Sequence, residues 1–223
     1  MFSKTTKLEA RLKEAQARKD KARSALSSHH KGEEYEVARQ ELLKVERELA
    51  AQKGEPYAIP LQFSVQWSVG ASLPHLLVNE DKAFLIFYVN QPDPDWDGTD
   101  VRLVDPGDDS PVSLALVEFE QCRSAKLGAP NNEVLAGHYL YGKGLEAYSV
   151  QIVKNSPWLE EVKATNKVHP LFRADSWSDL THYIFWFHDT TFECIATTYQ
   201  VELHTKSLQQ LLNDVCSKLI KGE

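Results

Sequence analysis

The chain has 223 residues, 42% of them hydrophobic, with five Trp, eight Tyr and nine Phe, enough for a core and too much for disorder along its whole length. Its net charge of −7 is uneven: residues 1–53 carry 13 Lys and Arg against 9 Asp and Glu (+4), and the remainder carries 12 against 23 (−11). An acidic body disfavours a nucleic-acid partner. No apolar run approaches the roughly 20 residues of a membrane helix, and the first residues lack the apolar stretch of a secretory signal.

Residues 4–53 are rich in Ala, Leu, Glu, Lys, Arg and Gln, the good helix formers. Leu8, Leu12, Ala15, Lys19, Ala22 and Leu26 form one heptad seam, and Tyr35, Ala38, Leu42, Val45 and Leu49 form another. No 3-4 step joins Leu26 to Tyr35, and residues 27–32 with Gly32 lie in the gap. The break predicts two antiparallel helices rather than one long rod. Charge agrees, because residues 4–28 carry +5 and residues 33–53 carry −2. The expected organisation is a charged coiled-coil hairpin over 1–54, ended by Pro56, and a globular domain over 57–223.

From Leu61 to Trp67 apolar and polar residues alternate, which predicts a half-buried strand. Residues 83–89 are apolar throughout and predict a central strand covered on both faces. Residues 91–110, rich in Pro and Asp, read as a long irregular loop. Residues 111–121 and 147–153 read as strands, with loop and one short helical turn over 127–144. Ser156 is the expected N-cap of a helix that starts at Pro157. A short helix is expected over 176–180. Two aromatic strands follow in 182–201, and an amphipathic helix spans 205–219 with Leu208, Leu211, Leu212, Val215 and Leu219 on one face. Without βαβ alternation, the fold class is α+β: a mainly antiparallel sheet with helices on one side, preceded by the hairpin.

Candidate chemistry concentrates in HYIFWFHDTTFECIATTYQV, residues 182–201. A turn centred on Asp189-Thr190 sets Phe187 against Phe192, Trp186 against Glu193 and Phe185 against Cys194. Alternation then places Tyr183, Phe185, Phe187, Phe192, Cys194 and Ala196 on a core face. His182, Ile184, Trp186, His188, Glu193, Ile195 and Thr197 share the other. Cys194 therefore points away from both histidines and reads as a buried core thiol, not a nucleophile. His182 and His188, about 20 Å apart along one strand, cannot share a metal. In this register His188 and Glu193 are diagonal neighbours beside Asp189. A His–carboxylate pair suits general acid–base work. The plainer reading is a turn Asp and a solvated ion pair. His138, after Gly137 in a glycine-flanked loop, is the fourth candidate. No phosphate-binding spacing occurs, the His–carboxylate pair could also bind a metal with ligands from elsewhere, and the cofactor stays unknown. Cys122, Cys194 and Cys216, odd in number and widely spaced, fit a reducing compartment, and the expected location is the cytoplasm.

Residues 116–201 resemble a family of bacterial hypothetical proteins. The resemblance is carried by Leu116-Val117-Glu118-Phe119, Gly137-His138, Gly144-Leu145-Glu146-Ala147-Tyr148, Asn155-Ser156-Pro157-Trp158, Asn166-Lys167-Val168-His169, His182-Tyr183-Ile184-Phe185, Phe187-His188-Asp189 and Phe192-Glu193-Cys194-Ile195-Ala196. It implies a relative but no activity, cofactor or site residue. Tyr139 departs from the family, where Pro follows Gly-His. Two functions stay open. One is an immunity-like or regulatory binding protein, meeting a protein partner or a second copy through the hairpin. The other is a hydrolase or transferase using His138, His188, Glu193 and Asp189.

Overall fold

The computed structural model describes residues 4–26, 32–68, 70–90 and 105–221. Helices α1 (Lys4–Ser24) and α2 (Gly32–Lys53) pack against each other as an antiparallel hairpin. Arg11 pairs with Glu48, Arg18 with Glu41 and Lys53 with Glu9, so one helix runs up as the other runs down. The seam residues Leu8, Ala15, Ala38, Leu42, Val45 and Leu49 are buried. The break proposed for residues 27–31 lies outside the described residues, and Gly32 opens α2.

Among the described residues nine strands follow: β1 (Tyr57–Pro60), β2 (His75–Val78), β3 (Ala83–Tyr88), β4 (Val112–Glu120), β5 (Ser124–Gly128), β6 (Val150–Lys154), β7 (Thr181–Trp186), β8 (Thr191–Ala196) and β9 (Thr198–Lys206). Two further helices are α3 (Pro157–Asn166) and α4 (Leu208–Lys221), with 3-10 turns at Asn132–Gly137 and Ala174–Trp177. The fold is α+β, and its antiparallel strands form two sheets, β1-β6-β7-β8-β5 and β2-β3-β4-β9. The inner faces meet over Leu85, Phe87, Val117 and Phe119 on one side and Phe185, Phe187, Phe192 and Cys194 on the other. β3 is buried on both faces because its alternate residues Phe84, Ile86 and Tyr88 meet Leu208, Leu211 and Val215 of α4. A reciprocal cap starts α4: Ser207 Oγ accepts from Gln210 N–H and Gln210 Oε1 accepts from Ser207 N–H.

Some expected strands move. Residues 61–67 form no ladder: Trp67 makes an isolated bridge with Val89, Leu61 N–H donates to the Val150 carbonyl, and the preceding ladder runs over Tyr57–Pro60. Part of the expected irregular loop, residues 91–104, lies outside the described residues. β5 carries little apolar alternation, and sequence patterning misses it. The aromatic hairpin does not continue to Val201: the chain leaves the first sheet at Thr197 and enters the second as β9. β4 makes the reverse crossing into β5 at the same place. β4 pairs with β9 and β5 with β8, so one two-stranded ribbon bends from sheet to sheet. The register slips by one residue there, from Glu120↔Thr198 to Ser124↔Ile195, and Gln121 takes φ 50. An extra residue in one strand is what turns such a corner.

The hairpin docks on the edge of the five-stranded sheet. Arg47 donates from Nε to the Ala58 carbonyl at 2.9 Å and from Nη2 to the Gly144 carbonyl at 3.0 Å. Glu46 accepts from the Gly144 N–H at 3.0 Å, and Arg39 is ion-paired with Glu146. Gly144 sits at φ +83, and a Cβ there would lie 2.8 Å from the Ala58 carbonyl oxygen and closer still to the Arg47 side chain.

Candidate functional site

The turn of the aromatic hairpin is centred one residue earlier than expected. Phe187 N–H donates to the Thr190 carbonyl at 3.0 Å, leaving His188-Asp189 as a two-residue connection. Pairing is therefore Phe185↔Phe192, Ile184↔Glu193, Tyr183↔Cys194 and His182↔Ile195, two residues from the expected register. An even shift keeps every side chain on its face. The aromatic core face and buried Cys194 accordingly stand as expected. The diagonal partner of Glu193 changes, however, from His188 to His182.

This corrects the candidate cluster. His182 Nε2 lies 2.8 Å from Glu193 Oε2, and the two residues are 1% and 5% exposed. His188 bonds instead to its neighbour, with Nδ1 2.8 Å from Asp189 Oδ1, and both side chains are exposed. The His188 ring lies 6.1 Å from that of Tyr148. Four residues of strand, about 13 Å, separate His188 from Ile184 opposite Glu193. His188 and Asp189 thus form a surface turn, and the expected His188–Glu193 pair does not form.

Around His182 the structure gathers residues from four elements. Ser156, between β6 and α3, places Oγ 2.8 Å from His182 Nδ1. The same oxygen accepts from the Leu159 N–H at 3.1 Å as the N-cap of α3. Lys126 faces Glu193 across β5 and β8, and Nζ reaches Glu193 Oε1 at 2.8 Å. Its ammonium lies 4.5 Å above the Trp158 ring, which packs edge-on against His182 at 5.1 Å. Hydrogen-bond polarity orders the chain. The ionised Glu193 carboxylate only accepts, so Nε2 carries the hydrogen, and in the neutral ring Nδ1 accepts from the Ser156 hydroxyl, whose oxygen also accepts from the Leu159 N–H. Nε2–H then donates to the Glu193 carboxylate, which Lys126 neutralises from outside. Every side-chain polar atom of His182 and Ser156 has a partner.

Burial pushes the Glu193 carboxyl up, but the hydrogen bonds from His182 and Lys126 together prevail and hold it below its ordinary value. His138 lies within electrostatic reach of this group. Burial pushes its imidazole down, Glu193 pulls it back up, and Lys126 and His182 push it further down. Its ring meets Trp186 edge-on at 5.2 Å. Burial, then Glu193, pushes the neighbouring Tyr139 hydroxyl up. Of the four candidates, His138 and Glu193 share a region, while His188 and Asp189 stand apart at the turn. Ser156, His182 and Lys126 are the members that sequence reasoning left out. The signal for His182 was its parity with Glu193. For Lys126 there was none, because β5 was unrecognised.

The chain Ser156–His182–Glu193 contains a hydroxyl, a base and a carboxylate in hydrogen-bond contact, the parts of a nucleophilic site. Here it is enclosed: Ser156 is 4% exposed and its oxygen is engaged by its own helix. The immediate effect is to clamp α3 onto the outer face of the five-stranded sheet. Among the described residues no group of three or more His, Cys, Asp or Glu is placed to hold a metal ion.

An accessible concavity lies elsewhere. A cleft of about 980 Å³ opens between the hairpin and the segment before β6. Leu12 and Lys19 of α1, Arg39 and Glu46 of α2, and Leu145 and Tyr148 of the body line it. Burial pushes the Glu46 carboxyl up, opposed by the Gly144 N–H, Lys19 and Arg47. Among the described residues no helix is long and apolar enough to cross a membrane. Comparison of this chain with protein-family models, with curated proteins and with solved structures finds no match.

Proposed function

We propose that this chain is a cytoplasmic binding protein of regulatory or immunity-like character, and that the cleft between hairpin and body receives part of a protein partner. The cleft is the observation that carries the reading. Its volume is at the upper end of the about 300–1,000 Å³ typical of ligand sites, and it combines an apolar floor with a few charged groups. Helix α1 adds a surface with basic excess beside it, which suits an acidic partner. The acidic body supports a protein rather than a nucleic acid in that role.

Hydrolysis is the second reading, and the Ser156–His182–Glu193 chain is what favours it. Ser156 would attack as His182 takes its proton, provided Lys126 and Trp158 swing aside. One set of measurements separates the two. Amide NMR spectra of the full chain are recorded against a fragment library that includes carboxylate-bearing aromatics. Binding predicts shifts clustered at Leu12, Gly142, Leu145 and Tyr148, abolished by Ala17→Trp, which fills the cleft from an exposed position on α1. Shifts scattered over the surface, or none, would sink the binding reading. Turnover of p-nitrophenyl acetate that disappears in Ser156→Ala would establish hydrolysis instead.

A further inference from the structure

We propose that Cys122 and Cys194 are a dithiol site that closes to a reversible disulfide by exchange with a small glutathione-type disulfide. Their sulfurs lie 3.5 Å apart, although 72 positions separate them in the chain. Both are free thiols, and Cys216 is a third, exposed on α4. The pair sits at the corner where the β4–β5 and β8–β9 ribbon passes from one sheet to the other. Cys122 belongs to the stretch with the extra residue, and Cys194 belongs to the inner face of β8. A bond of ~2.05 Å needs the sulfurs to approach by about 1.5 Å.

Roles within the pair follow from their surroundings. Cys122 is 4% exposed and Cys194 is fully enclosed, so a reagent meets Cys122 first. The hydrogen bond from Cys194 pushes the Cys122 thiol down and, with the Ser124 N–H, outweighs burial. The same bond, then burial, pushes Cys194 up. Cys122, as thiolate, attacks one sulfur of the small disulfide and expels a thiolate. Cys194 then gives up its proton and attacks the Cys122 sulfur, breaking the mixed disulfide and expelling the second thiolate. The two protons lost by the cysteines end on the two thiols released, so the protein is oxidised by two electrons and the small disulfide is reduced by two. The bridge closes a long loop and pins the corner, which constrains the unfolded chain. This inference is independent of what the cleft binds.

The test uses the full chain, wild type and Cys216→Ser, incubated with oxidised glutathione under native conditions. The expected result is a mass lower by two hydrogens in Cys216→Ser, and in the wild type the same loss together with one glutathione adduct at exposed Cys216. A non-reduced digest yields a linked peptide pair containing Cys122 and Cys194. The melting temperature rises by several degrees, and dithiothreitol reverses all three changes. A glutathione adduct on Cys122 that never closes, a linked peptide pair that includes Cys216, or reaction only after thermal unfolding would each overturn the proposal. Each readout uses the native Cys122 and Cys194, so none depends on whether variants at those positions fold.

Discussion

Two carboxylates in low-dielectric surroundings, Glu193 and Glu46, shift in opposite directions for one reason. Glu193 has enough donors to outweigh burial, and Glu46 does not. A lowered folded value means that Glu193 contributes stability fully above its unfolded pKa of about 4.3 and loses it as pH falls through the lower folded value. For Glu46 the sign reverses: ionisation costs stability, and the cost appears as pH rises from the unfolded value through the raised folded one. Glu193→Gln keeps an acceptor but presents an amide to Lys126 or His182, so at pH 7 it should lose about 2 kcal/mol. Glu46→Gln keeps the acceptor for the Gly144 N–H and should be neutral or gain up to about 1 kcal/mol. Urea melts of both variants at pH 4 and pH 7 check the pair, and both effects should shrink at pH 4. Ser156→Ala removes an N-cap and the donor to a buried imidazole together, with an expected loss of about 2 kcal/mol by the same measurement. An unchanged midpoint would contradict the clamp assigned to Ser156.

For the elements, the question is what holds each in place. The α1–α2 ion pairs are roughly half exposed and are worth well under about 1 kcal/mol each. The buried seam carries the hairpin. Leu42→Ala should therefore cost about 2–4 kcal/mol and Glu48→Gln less than about 0.5 kcal/mol, with little dependence on salt. Comparable losses for the two in guanidinium melts would reverse that ranking. Docking of α2 on the body turns on Gly144, where positive φ and the approach of Arg47 and Ala58 both exclude a side chain. Gly144→Ala should lose about 1–3 kcal/mol, and hydrogen exchange should quicken in α2 while β7 and β8 stay protected. Uniform exchange across the chain would show that docking is not the local event described. The sheet-to-sheet ribbon depends on a different local device, the one-residue bulge at 121–123, which lets the same two strands serve both layers.

Across the whole molecule, the layers run from α4 through the four-stranded sheet and the five-stranded sheet to the α3 face, with the hairpin closing one edge. The hairpin is part of that closure and not a free arm. Residues 57–223 alone should expose β1 and Leu145, bind the dye ANS and melt well below the full chain. Equal melting temperatures and no dye binding would show the hairpin to be an independent appendage.

Local pattern was sufficient for several features. The two heptad seams and their opposite charge specify a hairpin, because a 3.5-residue repeat admits one buried stripe per helix. Residues 83–89 specify a strand covered on both sides, the Ser156-Pro157 pair starts α3, and parity sends Cys194 to the core. These depend on neighbours a few residues away. The rest did not. Whether the hairpin turn was centred on His188-Asp189 or on Asp189-Thr190 decided whether Glu193 would meet His182 or His188, and both positions satisfy the same alternation. Division into two sheets depended on a bulge with no distinct sequence mark. Lys126 reached Glu193 only through a strand whose place came from its partner, β8. The sequence by itself determined which side chains share a face, because alternation follows local periodicity; it did not determine that both faces of β7 and β8 are buried, His182 and Glu193 included. Only the tertiary structure decided which of those side chains touch, because contact across strands depends on register and on pairing between distant segments.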